Sequence, residues 1–271
     1  GPFAGNVRFA GSGINGTANL DARGQDQHAA INAFANNAVI PGTAGLSVGR
    51  AIITADATMV PGKPEVVADA QIAAFKMGDF VIKAARAKVN YRGGQGTAQI
   101  VANGSSSVPF ELAANARLSP EQYLVALKGK ANGIAFRTAN PARIAKTDSG
   151  YALSPTQIDL DGGKVRLAGN FGPGISMKAR LDSLDMSIAN AFVPGLGVGG
   201  QASGSLDFAQ EGNSFPKAEA RLNIAGFQRT SIARVSDPVN IEFVGRLVPD
   251  GGEARAENSL AEASGRCCRT C

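Results

Sequence analysis

The chain has 271 residues and a net charge of +5, and it contains 34 glycines, 13 prolines, three tyrosines and no tryptophan. No apolar run reaches the roughly 18 residues of a membrane-spanning helix, and the first residues lack the layout of a signal peptide. The positive charge favours anionic surroundings. No basic cluster is interleaved with aromatic residues, so a typical nucleic-acid surface is excluded.

Apolar and polar residues alternate along most of the chain, which is the pattern of a half-buried β-strand. In Val108–Leu118 the even positions are apolar, and the odd positions include Glu111 and Arg117. Because successive side chains of a strand point to opposite faces of the sheet, each such segment has one apolar face. In chain order, the predicted strands are Thr17–Arg23, Leu46–Thr58, Val66–Lys76, Phe80–Tyr91, Thr97–Ala102, Val108–Leu118, Tyr123–Lys130, Ile134–Thr138, Ala142–Lys146, Thr156–Leu160, Lys164–Asn170, Ile175–Leu181, Gln201–Phe208, Lys217–Ile224 and Val239–Leu247.

Short polar connections separate these strands, and Asp161-Gly162-Gly163 is typical of a hairpin turn. Connections this short favour antiparallel neighbours. Two segments have helical character: Gln27–Ala38, which fits a strand as well, and Leu184–Val193, which we expect to form a helical turn or two before Pro194. The predicted fold class is therefore all-β, with mostly antiparallel strands in an elongated sheet and one or two short helices.

Gly11, Gly13 and Gly16 match the glycine spacing of a dinucleotide-binding loop. That loop must open a helix, whereas here a predicted strand follows at once, so we interpret the glycines as a turn. The glycine cluster Gly195–Gly200 also leads into a strand. Neither cluster predicts a cofactor site.

Residues suited to catalysis or metal binding are scarce. His28 is the only histidine, which excludes histidine-based metal sites, and we expect a solvated side chain. Asp159 and Asp161 could bind a metal or exchange protons. Because they alternate with Ile158 and Leu160, we interpret both carboxylates as lying on the solvent-exposed face of a half-buried strand instead. We therefore predict no enzymatic activity, no catalytic residue, no cofactor and no metal.

Two segments in the second half of the chain carry a recognisable motif. Phe136–Gly172 contains a Pro-Ala-Arg-Ile strand, then Leu-Ser-Pro, then Leu-x-Gly-Gly-x-Val-x-Leu-x-Gly. Leu181–Phe227 contains a helix-like stretch ending in Pro-Gly-Leu, a Gly-Gly-x-x-Ser-Gly strand, a polar turn with proline and another alternating strand. These segments resemble the TamB and AsmA-like family of Gram-negative envelope proteins, whose TamB members belong to the translocation and assembly module.

The resemblance implies a curved, U-shaped, taco-like sheet whose concave face is an apolar groove. It implies a periplasmic location, in a full-length protein anchored in the inner membrane. It also implies phospholipid transport between the inner and outer membranes and support of outer-membrane protein assembly. The expected partners are phospholipid acyl chains and an outer-membrane β-barrel assembly protein of the Omp85 type, not nucleic acid.

The apolar positions of the predicted strands are the candidate lining of this groove. The alternative is a purely structural β-solenoid or sandwich, adhesin-like, whose apolar face is filled by its own side chains and which carries no lipid. The predicted lining residues are Phe110, Leu112, Val125, Leu127, Phe136, Ile158, Leu160, Val165, Leu167, Ile175, Met177, Leu181, Leu206, Phe208, Leu222, Ile224, Ile241 and Phe243.

For domain organisation, we expect residues 1–250 to be one β-groove segment of a longer protein. Residues 251–271 abandon the clear alternation, and we predict a disordered tail. The tail contains all three cysteines, Cys267, Cys268 and Cys271. A zinc site is the alternative there, but three clustered thiols lack a fourth ligand at a suitable spacing.

Overall fold

The computed structural model describes residues 2–39, 45–60, 63–106, 108–192, 196–229, 237–250 and 253–262. Strands dominate these ranges, and the one helix found there, α1 (Ile188–Phe192), is short, so the all-β prediction is confirmed. Within the same ranges no helix combines the length and apolar character needed to cross a lipid bilayer. The chain divides into two compact units, unit 1 (Gly1–Gly133) and unit 2 (Ile134–Cys271). The alternation continues through this boundary, which is why the sequence predicts a single segment there.

Unit 1 is an antiparallel meander in which each strand pairs with the next along the chain. Ser12 and Gly13 form the first turn with φ values of 50° and 80°, as a tight two-residue hairpin requires. Of the three glycines interpreted as a turn, Gly13 therefore lies in it, whereas Gly11 and Gly16 lie in the strands on either side. The strands are β1 (Gly5–Gly11), β2 (Ile14–Arg23), β3 (Asp26–Val39), β4 (Ser47–Met59), β5 (Glu65–Met77), β6 (Phe80–Arg92), β7 (Gln95–Ser106), β8 (Val108–Leu118) and β9 (Gln122–Ala131).

Unit 2 is also antiparallel, with one interruption. The strands are β10 (Ile134–Thr138), β11 (Ala142–Thr147), β12 (Gly150–Leu160), β13 (Gly163–Phe171), β14 (Gly174–Asp185), β15 (Val198–Glu211), β16 (Lys217–Arg229), β17 (Val239–Asp250) and β18 (Glu253–Glu262). Strands β10 and β11 do not form a hairpin, because both pair with successive halves of β12. Pro141 lies between them, and a proline cannot donate a ladder hydrogen bond.

The ambiguous segment Gln27–Ala38 is strand throughout, within β3. The helical turn or two expected within Leu184–Val193 is present as α1, which begins only at Ile188 because β14 extends to Asp185. Pro194, the expected stop, lies outside the described residues. In β3 the alternating alanines pair with strands on both sides, and this pairing outweighs the helix propensity of alanine.

The prediction of a disordered tail from residue 251 is wrong for Glu253–Glu262, which form β18 and pair with β17. Leu260 lies opposite Phe243, and Ala256 lies opposite Leu247. The alternation therefore continues, but mostly through alanine, whose small side chain gives a weak signal. Residues 263–271, including the cysteines, lie outside the described residues.

Irregular positions within several strands shift the alternation by one residue. In β5 the apolar residues occupy even positions up to Ile72 and odd positions from Phe75, and Ala74 between them has a φ of 54°. The pairing of β5 with β4 and β6 keeps its register across Ala74, so the neighbouring strands change parity together with it. In β16 the pairing with β17 itself shifts by one residue between Ile224 and Phe227, which is a β-bulge. In both cases the next large side chain stays on the apolar side of the sheet.

A polar side chain from the neighbouring strand satisfies a backbone N–H at three of these irregular positions. The acceptors are Asn103 Oδ1 for Ala84 N–H, Ser203 Oγ for Ser183 N–H and Asn240 Oδ1 for Gly226 N–H, each at 3.0 Å. These side chains replace ladder hydrogen bonds that the shifted backbone cannot make.

Candidate functional site

In unit 1 the pairing register places apolar residues of all nine strands on one face. Residues directly opposite each other in antiparallel strands share a face. We call the face containing Ile53 the apolar face of unit 1. One cross-strand row on it runs through Phe9, Gly16, Ala33, Ile53, Ala70, Ala87, Ile100, Ala114 and Leu127.

One end of this face is aromatic. The rings of Phe75 and Phe80 meet edge to face with centroids 6.4 Å apart, and those of Phe80 and Phe110 stack at 6.0 Å. Such pairs add to the stabilisation from burial and fix the relative positions of β5, β6 and β8 at this end. Phe110, a predicted lining residue, is therefore anchored by neighbours on the same face.

Unit 2 has a corresponding face, which we call the apolar face of unit 2. This face is built from larger side chains than the alanine-rich apolar face of unit 1. One cross-strand row runs through Thr138, Ile158, Val165, Leu181, Gly204, Leu222 and Phe243.

Among the described residues, the large side chains of both apolar faces stay partly exposed, although small residues such as Ala51 and Ala202 on the same faces are buried. The exposed fraction is 37% for Ile53 and 42% for Ile100 in unit 1, and 38% for Leu206 in unit 2. No large side chain among the described residues is fully buried. The buried apolar residues in that part of the chain are all alanines: Ala38, Ala51, Ala142 and Ala202. A folded core would bury its large residues first, so these faces are open surfaces.

The register places every predicted lining residue on the apolar face of its own unit. Phe110, Leu112, Val125 and Leu127 lie on the face of unit 1. In unit 2 the members are Phe136, Ile158, Leu160, Val165, Leu167, Ile175, Met177, Leu181, Leu206, Phe208, Leu222, Ile224, Ile241 and Phe243. The alternation of the individual strands therefore assigns these residues to one face within each unit.

The predicted lining omits the face residues of β2–β7. Ile31, Ile53, Phe75, Ile82 and Val89 all lie on the apolar face of unit 1. The alternation of apolar and polar residues is present in these strands, but many of the apolar positions are alanines, which give a weak pattern. The apolar positions also change from even to odd numbers, or the reverse, at the irregular positions within a strand. Reading the alternation separately on each side of an irregular position predicts these residues.

The opposite faces are mostly polar and carry ion pairs, although Phe34, Ile52 and Val101 lie on that of unit 1. Arg86 donates to Asp69 at 3.0 Å, and this hydrogen bond lowers the pKa of Asp69 below its ordinary value. Arg221 lies 2.6 Å from Glu219, and its hydrogen bond lowers the pKa of Glu219 in the same way. Both pairs keep their carboxylates ionised at neutral pH, as expected of a solvated sheet face.

Asp159 and Asp161, the carboxylate pair identified in the sequence, each interact with different residues. Gln157 donates to Asp159 at 2.8 Å, and Arg137 lies 3.6 Å from the same carboxylate. Asp161 accepts a hydrogen bond from the N–H of Ala135 at 3.2 Å. Both carboxylates therefore have separate protein partners. Asp159 lies on the polar face of β12, as predicted, whereas Asp161 lies in the turn that follows the strand.

His28 is buried, so the prediction of a solvated side chain is wrong. Its Nε2 lies 3.0 Å from Asp56 and its Nδ1 lies 3.4 Å from Asp21. Strand β3 lies between β2 and β4, and the two aspartates come from those neighbours. The alternation within one strand cannot show what adjacent strands place over a side chain.

No group of three histidine, cysteine, aspartate or glutamate side chains is arranged for a metal ion in the described part of the chain. Comparison with models of protein families, with curated proteins and with solved structures finds no match to this chain. The two open apolar faces are therefore the features from which a function can be inferred.

Proposed function

We propose that the apolar faces bind phospholipid acyl chains and let them move along the sheet without chemical conversion. The observation that carries this proposal is the continuous apolar row that crosses each unit while its large side chains remain open to solvent. Leaving such a side chain in water forgoes roughly 1.5–3 kcal/mol. An acyl chain on the face would recover part of this for every strand it crosses.

The energetics of the cargo support the same proposal. Each methylene of an acyl chain in water costs about 0.8 kcal/mol, so a sixteen-carbon chain costs about 12 kcal/mol. A continuous apolar face removes most of this barrier. The nine strands of unit 1, at about 4.8 Å each, extend the face by roughly 40 Å in the direction of pairing. The work is spread over many contacts, so no single residue is indispensable.

The biological setting is proposed from the resemblance. The two segments that resemble the TamB and AsmA-like family, Phe136–Gly172 and Leu181–Phe227, lie on β10–β16 of unit 2. We infer a role in the periplasm, within a longer protein anchored in the inner membrane. There it would move phospholipid between the two membranes and support outer-membrane protein assembly together with a β-barrel assembly protein.

Photo-crosslinking in cells tests the proposal directly. A photoreactive residue at position 110 or 222 lies on an apolar face and should give phospholipid adducts. The same residue at Glu111 or Asn223, the next positions on the same strands, points to the polar side and should give none. Folded protein that forms no adduct at 110 and 222 would refute lipid binding and favour the structural, cargo-free alternative.

Charge substitutions separate a lipid surface from a packed core. Phe110→Arg and Leu222→Arg place a charge where acyl chains must pass. On an open face the arginine can extend to solvent, so folding should survive while co-purified phospholipid falls. Glu111→Arg is the matched control and should leave the lipid content unchanged. Outright unfolding of both apolar-face variants would instead indicate a closed interior.

A further inference from the structure

Three arginines occupy one cross-strand row on the polar face of unit 2. Arg166 on β13 lies directly opposite Arg180 on β14, and the row continues through Ser205 on β15 to Arg221 on β16. Arg166 and Arg180 are both exposed. Like charges directly opposite each other destabilise a sheet. The row is therefore unfavourable by itself, and an anion placed on it would offset the repulsion.

The carboxylates of unit 2 do not neutralise this row fully. Within the described residues, the ion pairs involve neither Arg166 nor Arg180. Arg221 is paired with Glu219. The carboxylates of the flanking rows face lysines: Asp182 lies opposite Lys164, and Asp207 lies opposite Lys178. The excess positive charge is thus concentrated at the Arg166–Arg180 pair.

A recess of about 480 Å³ lies beside Arg180, one member of this pair, and is lined by Arg180, Arg221, Ser203 and Ser205. The oxygen of the Ser203 hydroxyl accepts from Ser183 N–H at 3.0 Å, which leaves its O–H free to donate. Glu242 also lines the recess, on β17, beyond β15 and β16 from Arg180. An anion would therefore be repelled from the β17 side and attracted to the β14 side.

We propose that this recess binds a phosphate group, as a phosphate monoester or diester. Arg180 donates to two of its oxygens with its planar fork, and the hydroxyl of Ser205 donates to a third. Arg166 adds charge from the next strand. A guanidinium suits phosphate because two parallel N–H donors match two phosphate oxygens. The site lies on the face opposite the acyl surface, so it does not depend on acyl-chain binding.

Thermal unfolding of the full chain tests the site with inorganic phosphate, compared with chloride at equal ionic strength. Phosphate in excess of Kd should raise the Tm of the wild type by about 2–4 °C. Arg180→Thr should abolish this rise. In chloride the same variant should unfold at or above the wild-type Tm, because the like-charge pair is gone. Arg8→Thr, an exposed arginine on β1, is the matched control and should keep the rise.

Two further experiments ask whether the phosphate belongs to a lipid headgroup and whether the planar shape of the guanidinium matters. Sedimentation with phosphatidylglycerol vesicles, compared with phosphatidylcholine vesicles, reports on a lipid headgroup. Binding to either probe that weakens at least about tenfold in Arg180→Thr and in Arg166→Thr supports the site. Arg180→Lys should restore only part of the affinity, since it keeps the charge but not the fork. Absence of binding to both probes, or binding that Arg180→Thr leaves intact, would overturn the proposal.

Discussion

Replacing large residues on the apolar faces with alanine measures how open those faces are in the lipid-free protein. Leu206 is 38% exposed and Ile53 is 37% exposed. Burying such a side chain completely is worth about 1.5–3 kcal/mol. More than a third of each is already in water, and alanine keeps part of the remaining contact. We therefore expect Leu206→Ala and Ile53→Ala each to lower the free energy of unfolding by about 1 kcal/mol.

A closed core predicts a different magnitude. Truncating a leucine or isoleucine there costs about 2–5 kcal/mol, because a cavity remains where the side chain was. On an open face water fills the space, and no cavity forms. Equilibrium urea unfolding of the full chain after lipid extraction distinguishes the two cases. A loss of about 3 kcal/mol or more in both variants would refute the open-face interpretation.

Ala202→Leu is the matched control for the same measurement. Ala202 is 1% exposed, so a larger side chain has no room and should cost about 1–3 kcal/mol by overpacking. If Leu206→Ala, on the same strand, lowers the free energy of unfolding less than Ala202→Leu does, then unit 2 is packed around Ala202 and open around Leu206. Loading the protein with phospholipid should increase the cost of Leu206→Ala, because the side chain would then be covered.

Three further sets of substitutions test local features of the fold. Asn103→Ala removes the acceptor for a bulge N–H and should cost about 0.5–1 kcal/mol in urea unfolding. The hydrogen bond from Arg86 lowers the pKa of Asp69 below 3.8, so its contribution to stability is present above that pH and is lost as the pH falls through the lowered value. Asp69→Asn should therefore make Tm less sensitive to acid below pH 3.8. Gly13 has a φ of 80° and an added Cβ would lie 2.7 Å from a backbone oxygen, whereas Gly24, with a φ of 65°, faces open space. Gly24→Ala should cost about 1 kcal/mol and Gly13→Ala about 2 kcal/mol or more, measured by urea midpoints.

The fold class and the face of each residue in an uninterrupted strand follow from the amino-acid sequence without any knowledge of the pairing. The residues of Val108–Leu118 alternate without interruption, and the strand has the predicted bounds. Period-two alternation specifies a face because it is a property of the backbone pleat, which neighbouring strands do not change. The same alternation through alanine in β18 is too weak to separate from a polar tail.

The surroundings of each side chain, in contrast, depend on which strands lie next to it. At Ala74 the apolar positions of β5 change parity, and the pairing with β4 and β6 keeps the faces of the three strands aligned across the change. His28 is buried because β2 and β4 each contribute an aspartate to it. Arg166 and Arg180 become a like-charge pair only through the register of β13 and β14. A one-residue slip would separate all of these contacts, and register depends on the turns and bulges rather than on the alternation of any single strand.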